Sequence, residues 1–92
     1  MIPIHPGRIL RRELNERKLS ANQTALALRV PSGRITAILN QERGITVDTA
    51  LRLARYFGTS AQFWMTLQSQ YELAVGEQTI GAIVAREVQK AS

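Results

Sequence analysis

Residues 21–39 read ANQTALALRVPSGRITAIL, and this stretch decides the fold. Two short helical segments flank the break Arg29-Val30-Pro31. Ser20 stands directly ahead and can cap a first helix over Ala21–Leu28, with Ala25 and Leu28 on one face. Pro31 disfavours helical geometry at Val30 and suits a helix start, so the second helix runs from about Ser32 to Leu39. Ile35, Ile38 and Leu39 then point inward. Ala25 is small where two crossing helices must approach, while Leu28, Val30, Ile35 and Ile38 lock the pair onto a core. Ser32, Gly33, Arg34, Thr36 and Ala37 are left facing outward. A short helix, a three-residue break and a second short helix with a polar outer face predict a helix-turn-helix, whose second helix enters the DNA major groove. A packed helical hairpin with no nucleic-acid partner has the same pattern, so charge must help to decide.

The chain has 92 residues, a formal net charge of +5 and 45% hydrophobic residues, enough for one domain with one core. Its charge is unevenly spread. Residues 1–58 carry ten Lys/Arg against four Asp/Glu, a net +6, whereas residues 59–92 carry two against three, a net −1. That split points to a polyanion-binding part followed by an interaction part.

The remaining sequence reads as helix too. Pro6 suits the first position of a helix in which Ile9, Leu10 and Leu14 are apolar, with Arg8, Arg11, Arg12 and Glu16 on other faces. Arg8, Arg11, Arg12, Arg17 and Lys18 read chiefly as a solvated helix face. Thr46 caps a fourth helix with Asp48 in its first turn, a buried stripe of Ala50, Leu51, Leu53, Ala54 and Phe57, and Gly58 as its stop. Ser60 caps a fifth helix in which Phe63 and Trp64 are core fillers, followed by Leu67 and Tyr71. Gly76 predicts a break or kink, after which Ile80, Ile83, Val84 and Val88 keep helical spacing. The expectation is an all-α fold of five to six helices. Residues 1–75 form the helix-turn-helix domain and residues 76–92 a C-terminal helical extension. Nowhere does strand-like alternation persist between turn signals. The apolar stripe of the last helix must be covered, either by folding back or by a symmetry mate. The second option gives a two-fold dimer with two recognition helices about 34 Å apart, matching a palindrome.

Composition excludes much chemistry. With no cysteine there is no disulfide framework and no thiolate metal site. His5 is the one histidine, so neither a three-histidine zinc site nor a Ser-His-Asp triad is expected, and His5 itself reads as a helix-start residue. The pairs Glu13/Glu16 and Glu72/Glu77 have no nucleophile, glycine-rich phosphate loop or metal spacing beside them. No catalytic residue, cofactor or metal is expected. No targeting segment and no apolar run of about 20 residues is visible, so the expected location is cytoplasmic, without membrane contact.

The outward residues suit DNA. The Arg34 guanidinium can bond two acceptors on one guanine edge, and the Ser32 and Thr36 hydroxyls pair with bases or phosphates. Gly33 and Ala37 permit close approach, and Ala37 can touch a thymine methyl. Asn40 and Arg43, in the turn beyond, are placed to hold the DNA backbone. A solvated surface arginine is the plain alternative for Arg34.

His5-Pro6-Gly7, Ile9-Leu10, Val30-Pro31-Ser32-Gly33-Arg34-Ile35-Thr36 and Arg43-Gly44-Ile45-Thr46 together resemble the VapI/HigA group of antitoxins, within the XRE class of helix-turn-helix proteins. The blocks Asp48–Ala54, Gly58–Gln68 and Tyr71-Glu72-Leu73 extend the likeness over about residues 4–75. The resemblance implies a lambda-repressor-like domain, a homodimer, repression of its own operon at a palindromic operator in double-stranded DNA, and neutralisation of a RelE-like mRNA-cleaving ribonuclease toxin. It also implies Ser32, Gly33, Arg34, Thr36 and Ala37 facing bases, with Asn40 and Arg43 on phosphates. A stand-alone repressor would use the same residues, whereas an antitoxin acting by protein binding only would use surfaces of the first and last helices and hardly bind DNA. Three positions depart from the group's pattern. Thr24 stands where Leu is usual, Arg29 where the wider class has glycine, and Ala21 where many relatives have a phosphate-gripping glutamine. Arg29 in a left-handed turn conformation costs about 1 kcal/mol.

Overall fold

The computed structural model describes residues 2–91. Its elements follow from their caps. α1 (Pro6–Glu16) starts after His5, whose Nδ1 accepts the Gly7 N–H at 2.9 Å, with Pro6 filling the first helical position. α2 (Ala21–Leu28) begins with a capping box: Ser20 Oγ accepts the Gln23 N–H at 3.0 Å and Gln23 Oε1 accepts the Ser20 N–H at 2.8 Å. α3 (Ser32–Leu39) follows Pro31 without a side-chain cap. Thr46 caps α4 (Val47–Phe57), which stops at Gly58 with φ 73°, and Ser60 caps α5 (Ala61–Glu87). The described residues form five helices and no strand, the all-α lambda-repressor-like architecture expected.

α5 runs 27 residues through Gly76 without the break expected there, so among the described residues there is no separate sixth helix. Glycine in a helix interior costs about 1 kcal/mol relative to alanine, but it does not forbid helical dihedrals. No proline follows to enforce a stop. At 1.5 Å per residue the helix is about 40 Å long, which gives the molecule its 52 × 22 × 22 Å extents.

The core is built from Leu10 and Leu14 of α1, Ala25 and Leu28 of α2, Ile35 and Ile38 of α3, Ala50 and Leu53 of α4, and Trp64 of α5. Two residues expected inside lie outside. Leu51 is 57% exposed, because α4 turns Thr49, Ala50 and Leu53 inward and Leu51 sits about 100° round from Ala50. Phe63 is 40% exposed and rests edge-on against Trp64 at the rim, with ring centroids 5.1 Å apart. α1 meets α3 at Gly7, where an added Cβ would lie 2.0 Å from the Ile38 carbonyl oxygen. Only glycine permits that approach. The distal apolar residues Leu73, Ile80 and Val84 of α5, and Val88 just after it, stay exposed, so α5 does not fold back onto its own domain.

His5 has the helix-start role expected of it, and its ring packs edge-on against Tyr71 of α5 at 4.8 Å. The imidazole is 4% exposed, and burial lowers its pKa from 6.5. The folded chain therefore holds this proton less tightly than the unfolded chain. The resulting stability is complete above the unfolded value and is lost as pH falls below it. Thermal melts should show stability declining from pH 7 to pH 5, with the decline reduced in His5→Asn, where the cap cannot titrate.

Candidate nucleic-acid interface

The turn between α2 and α3 is closed by Arg29 in the left-handed conformation (φ 61°, ψ 44°), and the Val30 N–H bonds the Ala25 carbonyl at 3.0 Å. The strained geometry expected of a non-glycine residue here is thus present. Thr24, fully buried in place of a larger apolar group, donates its hydroxyl to the Ser20 carbonyl at 2.9 Å, so no polar atom is stranded. These contacts close the end of α2 and satisfy its buried hydroxyl.

On α3 the buried Ile35 and Ile38 turn the opposite face outward. Ser32, Gly33, Thr36 and Asn40 are exposed, as is Arg43 in the following turn, while Arg34 and Ala37 are half-buried. The expected reading residues thus lie along one helix and its following turn. Thr36 returns its hydroxyl to the Ser32 carbonyl at 3.1 Å, leaving its methyl and hydroxyl lone pairs for contact. No side chain occupies the space in front of Gly33.

Arg34 differs from the freely solvated side chain that the sequence offered as its plain alternative. Its Nη1 donates to Asp48 Oδ2 at 2.5 Å, and the side chain is only 22% exposed. Asp48 also accepts from Arg52 Nε, at 3.1 Å to each oxygen. Arg52 Nη1 in turn donates to the Leu28 carbonyl at 2.9 Å. The hydrogen bonds from Arg34 and Arg52 hold the Asp48 carboxyl below the usual carboxylate range. The sequence marked Asp48 only as a favourable charge in the first turn of α4. Its pairing across 14 residues with α3 depends on how α4 packs, which local pattern does not contain.

A second positioning residue was also missed. Gln68, buried on α5, accepts the Ile45 N–H at 2.7 Å. Its amide lies so close to Gly44 that an added Cβ would meet it at 2.6 to 2.8 Å. This contact pins the α3–α4 turn that carries Asn40 and Arg43. A signal was available: Gln68 is four residues after Trp64, on the face that packs inward. Elsewhere on the basic half, Arg17 pairs with Glu13 and lies over the Phe57 ring at 4.4 Å, whereas Arg8, Arg11 and Arg12 are exposed on α1. Among the described residues no group of three or more His, Cys, Asp or Glu could hold a metal ion. No helix among them is long and apolar enough to cross a membrane.

Comparison with known proteins agrees with this geometry. A family profile described as helix-turn-helix matches residues 10–64. Virulence-associated protein I of Dichelobacter nodosus is 53% identical over 79 residues, covering 85% of this chain and 73% of that protein. The antitoxin HigA of Pseudomonas aeruginosa, solved with the higBA promoter, superposes with a TM-score of 0.96 at 46% identity, covering 99% of this chain and 100% of that one. An addiction module antidote protein of the HigA family from Coxiella burnetii gives 0.93 at 50% identity, covering 97% and 98%. The chain belongs to the helix-turn-helix family and, within it, to the HigA family of antitoxins, which are non-enzymatic regulators.

Proposed function

We propose that the chain is a sequence-specific DNA-binding antitoxin that represses its own operon and neutralises a RelE-like mRNA-cleaving ribonuclease. The observation that carries the DNA part is the outer face of α3. Ser32, Gly33, Arg34, Thr36 and Ala37 form the base-reading row, and Asn40 and Arg43 the phosphate contacts, on a helix held by Gly7, Ile35 and Ile38 behind it. The likeness to an antitoxin solved with promoter DNA supports the same orientation.

The second part of the reading concerns α5. Its distal half presents an exposed apolar face that includes Leu73, Ile80 and Val84, with Glu72 and Glu77 on the same helix. A homodimer through this helix would pair two copies of α3 on a palindromic operator. In that arrangement residues 1–75 bind DNA and residues 76–92 extend the dimer contact, and the protein works in the cytoplasm. The runner-up readings are a repressor without a toxin partner and an antitoxin that acts by protein binding alone.

Both parts are testable. Affinity for a duplex from its own promoter should fall about a thousandfold between 50 and 200 mM salt if a dimer neutralises about six phosphates; salt-insensitive binding would count against the DNA role. Growth arrest by the product of the adjoining reading frame should be relieved on co-expression, with the two proteins co-purifying. Promoter binding without rescue or co-purification would leave the stand-alone repressor.

A further inference from the structure

We infer that Asp48 is a positioning residue for DNA reading: its carboxylate holds the Arg34 guanidinium at the outer face of α3 and so sets sequence discrimination rather than overall affinity. This rests on the reading of α3 as the recognition helix. The contacts form one chain: the Leu28 carbonyl at the end of α2, Arg52 Nη1 at 2.9 Å, Arg52 Nε on both Asp48 oxygens at 3.1 Å, and Asp48 Oδ2 on Arg34 Nη1 at 2.5 Å. Asp48 is thereby anchored to α4 and α2 before it touches α3. An exposed carboxylate on its own would make a loose partner; one whose two oxygens already share the Arg52 Nε–H makes a fixed one.

Arg34 profits from that fixity. A free arginine loses much rotamer freedom when it docks on a base edge, and a fork that is already oriented loses less. The Arg34 Nε is buried and has no hydrogen-bond partner, so the stem is packed in and only the terminal nitrogens can serve a ligand. Nη1 is on Asp48, which fixes the guanidinium plane. Two arginines share the single carboxylate, so the cluster keeps a net positive charge and the face stays attractive to phosphate.

Electrostatics and positioning give opposite signs for one substitution, which makes the inference decidable. Asp48→Asn removes a negative charge beside the DNA, and by charge alone this tightens binding to any duplex. If Asp48 positions Arg34, the same substitution weakens binding to the operator while scrambled DNA is held as well or better.

The experiment uses fluorescence anisotropy on the full-length chain, with a duplex from its own promoter and a scrambled duplex of equal length and composition, at one salt concentration. Wild type, Asp48→Asn, Arg34→Ala and the double variant are compared. The readout is the ratio of the two affinities, which partial unfolding cannot move because it lowers both equally. Asp48→Asn should lower the ratio about tenfold, within the range that one arginine–guanine pair can discriminate. The double variant should fall no further than Arg34→Ala, since both remove one interaction. A ratio unchanged or raised in Asp48→Asn but lowered in Arg34→Ala overturns the positioning role and leaves the recognition helix standing. A ratio unchanged in both removes Arg34 as a reader, and the positioning role with it.

Discussion

Truncating Trp64 to alanine should remove about 3–5 kcal/mol of folding stability, a large part of the 5–15 kcal/mol that holds a domain of this kind together. The indole is fully buried and heads the largest side chains of the core. It packs between Phe57 of α4, ring centroids 6.3 Å apart, and Phe63 of its own helix, and its Nε1 donates to Thr59 Oγ1 at 2.9 Å. Truncation leaves a cavity between α4 and α5 and removes the indole's hydrogen bond to Thr59. The effect reaches α3 and the turn after it, because α4 carries Asp48, which bonds Arg34, and α5 carries Gln68, which bonds the Ile45 N–H. Urea unfolding checks the figure, with Phe63→Ala as the comparison. Phe63 lies at the rim, so its truncation should cost much less. Equal losses at the two positions would mean that the aromatic pair shares the core evenly, as the sequence alone implied.

That comparison marks the line between what local pattern contains and what packing adds. Helix starts were legible because caps are local: Ser20, Thr46 and Ser60 each reach an N–H three residues on, and Pro6 and Pro31 restrict only their neighbours. The outer face of α3 was legible for the same reason, since the buried Ile35 and Ile38 fix which way the rest of α3 looks. The errors came where a residue's environment is set from a distance. Leu51 and Phe63 are apolar and stand beside inward-facing residues, yet helix rotation against neighbours leaves both exposed. Glycine weakens a helix, which is why Gly76 predicts a break or kink, yet α5 continues through it, with the Thr79 hydroxyl also bonding the Val75 and Gly76 carbonyls. Arg34 was legible as a residue of the outer side of α3 and illegible as an ion-pair partner. Asp48 lies 14 positions away, and Gln68 lies 23 positions from the backbone N–H that it holds.

Gly33→Glu tests the claim that the outer face of α3 reads DNA with the least disturbance to everything else. Gly33 sits in the first turn of α3, and an added Cβ there meets nothing within 4 Å. The substitution replaces a poor helix former with a good one, worth about 0.5–1 kcal/mol, and places a carboxylate near the positive end of the helix, where it is favoured. The fold should therefore melt at the same temperature or higher. Against DNA the same carboxylate meets the floor or walls of a groove lined with acceptors and flanked by phosphates. Juxtaposing like charges at an interface costs several kcal/mol, so affinity should fall by at least about a hundredfold. The decisive measurement is an anisotropy titration of its own promoter duplex with wild type and Gly33→Glu, each paired with a thermal melt. The account predicts promoter binding lost by at least about a hundredfold in a variant that melts no lower than wild type. Undiminished promoter binding by a well-folded Gly33→Glu would contradict it.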